Sequence, residues 1–432
     1  MTTSHRIEAF PALIYDTNKA GPMGDLIAPP YDLIDRAQQE ALYARNPYNV
    51  IRLELNREPD PYASAATTLA QWRRDGVLIQ TPSALFHYTQ RFEVGRKLLN
   101  RSGIIARVKL EPFSSGRVLP HEKTFPKAKE DRLRLLTATV TNVSSIFGLY
   151  SSAQDDFRAL MATIAARDPS LAATDDRGIV NEIRPISAPH ELATIQRSLE
   201  QVQILIADGH HRYETALEYQ RRRRAEEVNR ATLHGYDFVM MTVVAFDDPG
   251  LVILPTHRVI EKIAPSVFAT FAEKASKHFE VIEVASADAL RDAVVDGGHG
   301  TIGVALKDQP LRLLKLSDAT AMDVAEPDLP PAVRALDVAR LHSLIIDAIC
   351  GISADEVRHG GNISYTIDAA GALADVANGK ANGAFLMNPP SVEDVARVST
   401  SGATMPEKST YFFPKLVTGM VMNPLEDQAR RQ

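Results

Sequence analysis

Asp208-Gly209-His210-His211-Arg212 follows the apolar run Ile204-Leu205-Ile206-Ala207 and precedes the helix-like segment 213–219. A short apolar run that ends in a glycine predicts a buried strand followed by a tight turn. The turn would bring two imidazoles and a guanidinium to a helix N-terminus. Unpaired N–H groups and the helix dipole attract anions at that position. The sequence therefore predicts a phosphate site at this turn.

The five residues of the turn have different predicted roles. Gly209 would let the backbone approach a diphosphate, and Arg212 can contact two oxygens of one phosphate. Asp208 would either cap the helix or bind a magnesium ion. Adjacent histidines on a helix point in different directions, so His210 and His211 are not expected to share one small metal site. We expect both to hydrogen-bond phosphate, and we count His211 among the candidate catalytic residues.

The composition is that of a globular protein with more than one core. The chain has 432 residues, 45% of them hydrophobic and 24% charged, which favours two or three domains. A net charge of −6 disfavours nucleic acid as a partner. The single cysteine, Cys350, fits a reducing cytoplasm and is expected to pack as a small buried hydrophobe. Neither a secretory signal nor an apolar run long enough to cross a bilayer is visible, so we expect a cytoplasmic protein.

Alternating strand and helix patterns along the chain predict an α/β (α+β), multi-domain fold. Residues 1–150 form a mixed α/β region, residues 151–260 a central unit that contains the turn, and residues 261–432 a C-terminal α/β region. The boundaries come from changes in these patterns.

Several individual elements are predicted from local patterns. Val50–Leu55 alternates with strand period, and Pro61–Gly76 has the pattern of a helix that ends at glycine. Phe238–Ala245 and Leu251–Leu254 are expected to pair as a hairpin around the turn at Asp247–Gly250.

A second cluster of ionisable residues occupies the loop Leu119–Pro126. We expect Glu122 or His121 to move a proton. The cations in and after the loop, Lys123 and Arg132, are expected to neutralise phosphate, with Thr124 beside them. A solvated loop is the alternative. The second histidine of a zinc-protease motif is absent.

Two further segments are candidates with plausible structural alternatives. Ala28-Pro29-Pro30-Tyr31-Asp32 could present Asp32 rigidly, because proline restricts the backbone, or it could be a structural turn. Met405–Phe412 contains Lys-Ser-Thr but lacks the second glycine of a P-loop, so only an anion contact by Lys408 is expected.

These segments resemble the domain-of-unknown-function 1015 family of bacterial and archaeal proteins. The matching stretches are 26–32, 46–53, 121–124, 208–213 and 405–415. The Asp-Gly-His-His-Arg turn alone is similar to the nucleotide-site motif of the ParB/sulfiredoxin-like superfamily, and especially to its free-serine kinases. This resemblance implies a ParB/sulfiredoxin-like central unit. Local patterns between Ile179 and Tyr219 predict a strand, a helix over Pro189–Leu199, a strand, a turn and a helix, and this order agrees with that fold.

The resemblance implies nucleotide-dependent phosphoryl transfer to a small hydroxyl metabolite, with free L-serine as the best single substrate and ATP or ADP, together with magnesium, as cofactors. Glu122, or less favourably Asp32, would accept the hydroxyl proton. One alternative is a ParB-like nucleotide switch without catalysis. Another is a phosphatase acting on a small phosphoester such as phosphoserine. Homo-oligomerisation is left open.

Overall fold

The computed structural model describes residues 5–122, 124, 126–151, 155–227, 232–353, 356–357 and 362–426. The chain folds as two compact units. The first unit comprises Met1–Pro120, Thr124–Leu251 and Pro414–Gln432, and the second comprises His121–Lys123 and Val252–Phe413. The multi-domain α/β fold predicted from the sequence is confirmed.

The first unit is built on a mixed sheet whose long strands are Leu78–Val94 and Lys97–Lys109. The eight strands on its main path are, in spatial order, Val118–Leu119, Ile204–Asp208, Ile146–Tyr150, Phe238–Ala245, Lys97–Lys109, Leu78–Val94, Val180–Ile186 and Leu171–Thr174. Ile7–Glu8 and Phe10–Tyr15 pair with the two long strands, and Thr141–Asn142 pairs separately with Asn423–Pro424.

The longer helices of the first unit begin at local signals. Asp35 and Asp60 accept backbone N–H groups at the starts of Arg36–Arg45 and Pro61–Arg74. The other helices of eight or more residues are Pro126–Thr139, Asp155–Ala165, Pro189–Leu199 and His210–Ala225. Shorter helical segments are Thr17–Ala20, Met23–Leu26, Tyr31–Leu33, Ile51–Glu54, Phe113–Ser115 and Gly235–Asp237.

The second unit has its own six-stranded sheet and its own apolar core. The strands are, in spatial order, Phe279–Val284, Leu311–Leu316, Thr301–Leu306, Gly383–Met387, His257–Ile260 and Ile363–Thr366. Val252–Leu254 pairs separately with Tyr411–Phe413. Its helical segments are Pro265–Phe268, Phe271–Ala275, Ala287–Gly297, Ala321–Ala325, Pro331–Arg334, Asp337–Arg340, the π-helix Leu341–Asp347, Ala369–Ala377 and Val392–Thr400.

The prediction of a strand at Val50–Leu55 is wrong, because Ile51–Glu54 is one turn of helix. The Asn49 side chain accepts the backbone N–H of Ile51 at 2.9 Å and so starts this turn. Glu54 is buried there and forms an ion pair with Arg132 at 3.3 Å. An alternating pattern of six residues is too short to distinguish a strand from a turn of helix. The burial of Glu54 depends on Arg132, which is far away in the sequence.

The predicted hairpin between Phe238–Ala245 and Leu251–Leu254 is also wrong. Phe238–Ala245 pairs with Lys97–Lys109 on one edge and with Ile146–Tyr150 on the other. Both edges of this strand are therefore occupied. Val252–Leu254 pairs instead with Tyr411–Phe413, far away in sequence.

The order of elements predicted between Ile179 and Tyr219 is confirmed. Val180–Ile186, Pro189–Leu199, Ile204–Asp208 and His210–Ala225 follow one another as strand, helix, strand and helix. Apolar residues of all four elements belong to the core of the first unit. Cys350 is buried, which raises the pKa of its thiol to about 12, as expected of a packed hydrophobe. In the described part of the chain, no helix is long and apolar enough to cross a membrane.

Candidate functional site

The turn at residues 208–212 is shaped by an irregularity at the end of its strand. Ile204–Asp208 runs antiparallel to Ile146–Tyr150, and the register shifts between Ile206 and Asp208. Such a bulge redirects the side chains that follow it. Gly209 has a φ of 95° and occupies the N-cap position of His210–Ala225. Of the two predicted roles for Asp208, helix capping is therefore wrong, because no side chain caps this helix.

The Asp208 carboxylate lies between two cations. Its Oδ1 accepts a hydrogen bond from Lys415 Nζ at 2.5 Å, and its Oδ2 accepts one from Arg212 Nη2 at 2.8 Å. Burial by itself would raise the pKa of this carboxyl, but Lys415 and Arg212 outweigh burial and hold the pKa well below its usual range. Asp208 is therefore ionised at neutral pH.

Arg212 lies back across the turn that precedes it. Its Nη1 donates to the backbone carbonyl of Ser145 at 2.6 Å. A Cβ atom on Gly209 would lie 2.9 Å from Arg212 Nη2, so only glycine leaves room for the guanidinium in this position. The Nε atom is buried and has no hydrogen-bond partner among the described residues. Arg212 is therefore held in place by Asp208 and the Ser145 carbonyl.

The two histidines of the turn have different environments, as expected for adjacent helical positions. His210 is buried and contributes to the electrostatic field at Asp208. His211 is half-buried. Their predicted role in phosphate binding stays a prediction.

A cleft in the first unit shares one residue with this turn. Lys415, whose ammonium contacts Asp208, also lines the cleft. The cleft contains about 550 Å³ of empty space, its open side included. Its walls are largely apolar. They include Pro29 and Pro30 from the proline-rich segment, and Ile179, which directly precedes the strand Val180–Ile186. The turn and the proline-rich segment, which are far apart in sequence, thus meet through Lys415.

Asp32, Arg132 and Thr124, the other candidate residues of the first unit, have different surroundings. Asp32 is exposed. Arg132 is buried between Glu54 and Asp131, and its guanidinium lies 4.0 Å from the centre of the Tyr31 ring. The hydroxyl of Thr124 donates to Glu214 on the helix of the turn at 2.9 Å. Lys123 lies outside the described residues.

His121, Glu122 and Lys408 belong to the second unit. His121 is fully buried, and its Nε2 lies 2.8 Å from Thr410 Oγ1 and 3.6 Å from Glu122 Oε1. Lys408 has a positive φ of 55° and an exposed side chain. His121 and Glu122 therefore contact Thr410 of the segment 405–412 within this unit.

Sequence reasoning missed two residues of the candidate site. Lys415 stands in a family-matching stretch, but nothing local connects it to Asp208, 207 residues away. Glu54 falls in a predicted strand, which gives no reason to expect a buried ion pair. The sequence feature that could have pointed to Lys415 is its position next to Pro414, at the end of the matching stretch 405–415.

Magnesium binding by Asp208 does not fit the side chains around it. Both carboxylate oxygens are paired with cations, and a dication is disfavoured beside Lys415 and Arg212. Within the described ranges, no group of three or more His, Cys, Asp or Glu side chains is arranged to bind a metal ion. The magnesium requirement stays a prediction.

A family model described as "Protein of unknown function (DUF1015)" matches residues 7–339. The chain belongs to this family. The resemblance found in the sequence motifs is thereby confirmed, although the stretch 405–415 lies beyond the matched residues. No curated protein matches the chain.

Three solved structures illustrate how similar this chain is to known folds. A conserved hypothetical protein from Pyrococcus furiosus is 13% identical, with a TM-score of 0.34, and the match covers 73% of this chain and 92% of that one. A free serine kinase in complex with AMP is 12% identical, with a TM-score of 0.35 and coverages of 72% and 86%. SbnI with a C-terminal truncation, from Staphylococcus aureus, is 10% identical, with a TM-score of 0.37 and coverages of 76% and 91%. At these scores the similarity carries no conclusion about activity.

Proposed function

We propose that this protein transfers a phosphoryl group from a nucleotide to the hydroxyl of a small metabolite, with free L-serine as the preferred acceptor. The observation that carries the proposal is the position of Lys415, which lines the largely apolar cleft and contacts the ionised carboxylate of the turn. The choice of serine comes from the similarity of the Asp-Gly-His-His-Arg turn to free-serine kinases.

Phosphoryl transfer requires little covalent help from a protein, but it requires alignment and stabilisation of charge on the phosphoryl oxygens. The 16-residue helix His210–Ala225 directs the positive end of its dipole towards the turn. Arg212 adds the charge of its guanidinium, and Lys415 adds a second positive charge. Because Asp208 fixes both cations, they are already positioned before a polyanion binds.

The cleft supplies a location for the nucleoside part of the donor. Pro29, Pro30, Ile179 and Val417 form apolar surface suited to a planar base. Lys415 is shared between the cleft and the turn, so a base in the cleft would direct its phosphates towards the helix start.

In the transfer step, the acceptor hydroxyl would lose its proton to a carboxylate as its oxygen forms a bond to phosphorus and the donor's bridging oxygen leaves. Glu122 is the preferred carboxylate, with Asp32 as the alternative, and His121, which lies beside Glu122, would orient it. Thr124, Arg132, Lys123 and Lys408 remain candidates for phosphate contacts.

The test is a thermal-shift and turnover panel of ATP, ADP and CTP with and without L-serine and magnesium. A ligand that binds the native state raises the melting temperature by linkage, so an inactive preparation would still identify its nucleotide. Arg212→Ala should lower turnover roughly 100- to 1000-fold, because it removes one preorganised donor. Arg221→Ala, on the exposed part of the same helix, is the matched control.

The alternatives give different results in the same experiment. Release of inorganic phosphate from phosphoserine without any nucleotide would identify a phosphatase instead. Full turnover by Arg212→Ala, in a folded protein that responds to nucleotide, would refute the assignment of the turn as the phosphate site.

A further inference from the structure

A row of buried polar side chains crosses three neighbouring strands of the first unit. Gln90 lies on Leu78–Val94, with Arg101 directly opposite it on one neighbouring strand and Asn181 directly opposite it on the other. All three side chains are buried. Burial of polar groups is tolerated when they hydrogen-bond to one another or to the backbone. The partners of the row therefore show which parts of the chain it holds.

Gln90 and Arg101 hold the backbone of the segment that carries Lys415. Arg101 Nη2 donates to Gln90 Oε1 and to the carbonyl of Pro414. Gln90 Nε2 donates to the carbonyl of Lys415 at 3.1 Å and to Asn181 Oδ1 at 3.0 Å. The two successive carbonyls lie 313 and 325 residues from their donors in the sequence. The row thus fixes a distant segment of main chain at two adjacent points.

The other end of the row holds a second segment that lines the cleft. Asn181 Nδ2 donates to the carbonyl of Ile179 at 3.1 Å, and Asn181 Oδ1 also accepts a hydrogen bond from the Tyr88 hydroxyl at 2.6 Å. Ile179 and Lys415 both line the cleft. Among the described residues, no buried side-chain nitrogen or oxygen of this row lacks a hydrogen-bond partner. A fully satisfied buried network rigidifies the groups that it contacts.

Arg101 also brings a third positive charge near the turn. Its guanidinium lies 4.6 Å from the centre of the Phe147 ring, and Phe147 is paired with Asp208 on the adjacent strand. Burial lowers the pKa of Arg101 to about 10, so the side chain is still protonated at neutral pH. The carboxylate of Asp208 stabilises this charge electrostatically. The row is therefore coupled to the turn through charge as well as through the backbone of Lys415.

We propose that Gln90, Arg101 and Asn181 are positioning residues of the phosphoryl-transfer site. They fix the main chain of two cleft-lining segments, so that the ammonium of Lys415 stays on Asp208 while the nucleotide occupies the cleft. Because a lysine side chain is flexible, a fixed main chain narrows the range of positions that its ammonium can take. This inference rests on the proposed function, but the fixing of Lys415 can be measured without any substrate.

The measurement without substrate is the rate at which Lys415 reacts with acetic anhydride in the native full-length protein, followed by mass spectrometry of its peptide. In wild type, the contact with Asp208 should make this reaction slow relative to the exposed Lys97. Gln90→Glu keeps the size of the side chain and an acceptor for Arg101, but it removes the donor to the Lys415 carbonyl. We expect roughly 10-fold faster labelling of Lys415, as for the loss of one buried hydrogen bond.

Two further variants separate loss of the donor from the added charge and from general destabilisation. Gln90→Met also lacks the donor but adds no charge, so it should accelerate labelling of Lys415 to a similar extent. His87→Gln is the matched control, because His87 is also buried on the same strand but faces the other side of the sheet, where its Nε2 contacts Ser102. The control should leave labelling of Lys415 unchanged. Unchanged labelling in both Gln90 variants would overturn the proposal.

The kinetic readout separates positioning from a purely structural role. With ATP or ADP as donor and L-serine as acceptor, Gln90→Glu should lower kcat roughly 10- to 100-fold while the KM for nucleotide changes little, since the apolar cleft remains. Faster labelling of Lys415 with an unchanged kcat would overturn the positioning role. Faster labelling in the variants, combined with no phosphoryl transfer by wild type, would refute the proposed function while confirming that the row fixes Lys415.

Should the Gln90 variants fail to fold, as judged by circular dichroism, Arg101→Lys decides the question. This variant retains the positive charge but loses the guanidinium that donates to two acceptors at once. Faster labelling of Lys415 and a lower kcat would support the proposal, and wild-type values of both would overturn it.

Discussion

Arg212 in the first unit and Arg258 in the second are both largely removed from solvent, but their charges are balanced differently. Arg212 contacts the ionised carboxylate of Asp208 and a backbone carbonyl. Within the described residues, the polar contacts of Arg258 are to backbone carbonyls and a thioether. Each guanidinium retains an Nε without a described partner. In the first site a carboxylate lies between the two cations before any ligand binds, whereas among the described residues no carboxylate lies within ion-pair distance of Arg258.

This difference predicts unequal responses to loss of the central charge. A buried ion pair that loses one member leaves an uncompensated charge, whereas removal of Arg258 leaves no described carboxylate without its ion-pair partner. Three variants and a change of pH test this contrast, beginning with the largest expected effect.

Asp208→Asn should destabilise the protein by about 3–5 kcal/mol, because the charges of Lys415 and Arg212 would remain buried without their carboxylate. Urea unfolding measures the change. The double variant Asp208→Asn/Lys415→Met should recover part of the loss, since one of the two uncompensated cations is removed. Equal destabilisation by Asp208→Asn and Arg258→Met would contradict the contrast between the two sites.

Acidification should reproduce part of this loss. The pKa of Asp208 is depressed in the folded protein, so its contribution to stability is present above the unfolded-state value of about 3.9. The contribution decreases as the pH falls below that value towards the folded-state pKa. Wild type should therefore lose stability between about pH 5 and pH 2 more steeply than Asp208→Asn, as measured by urea midpoints at each pH. Parallel pH profiles would show that Asp208 is not the group responsible.

Gly209→Ala should cost about 1–3 kcal/mol, because a side chain is disfavoured at this positive φ and its Cβ would displace the Arg212 guanidinium. Gly95→Ala is the matched control, since Gly95 also has a positive φ, but a Cβ atom there would have no described atom within 4 Å. The excess cost at Gly209 measures the close contact with Arg212. A cost no larger than that of Gly95→Ala would argue against this contact.

Arg221→Ala should have the smallest effect. Arg221 is exposed and pairs with Glu218 in the same helix as Arg212, and such surface pairs contribute little. Melting temperature and nucleotide response should both match wild type. A marked loss of nucleotide binding would show that the basic residues at the end of this helix, rather than its start, attract the ligand.

Local patterns predicted many individual strands and helices, but few of the contacts between residues that are far apart in the sequence. Pro189–Leu199 and the strand and helix around Gly209 are predicted correctly, because apolar periodicity and a glycine turn are encoded in neighbouring residues. The strand predicted at Val50–Leu55 is wrong, because nothing nearby reveals that Arg132 pairs with Glu54. The pairing of Val252–Leu254 was also predicted wrongly. The nearest strand in sequence, Phe238–Ala245, is paired on both edges, so Val252–Leu254 pairs with the distant Tyr411–Phe413.

The candidate site likewise has features set by neighbouring residues and features set by contacts between distant residues. The sequence by itself determined that a strand ends at Asp208, that glycine turns the chain and that a helix begins with two histidines and an arginine. Only the tertiary structure decided that Lys415 meets Asp208, that this contact joins the turn to a cleft, and that no described carboxylate lies within ion-pair distance of Arg258. The physical reason is that turns and helix starts depend on neighbouring residues, whereas the balance of a buried charge depends on residues hundreds of positions away.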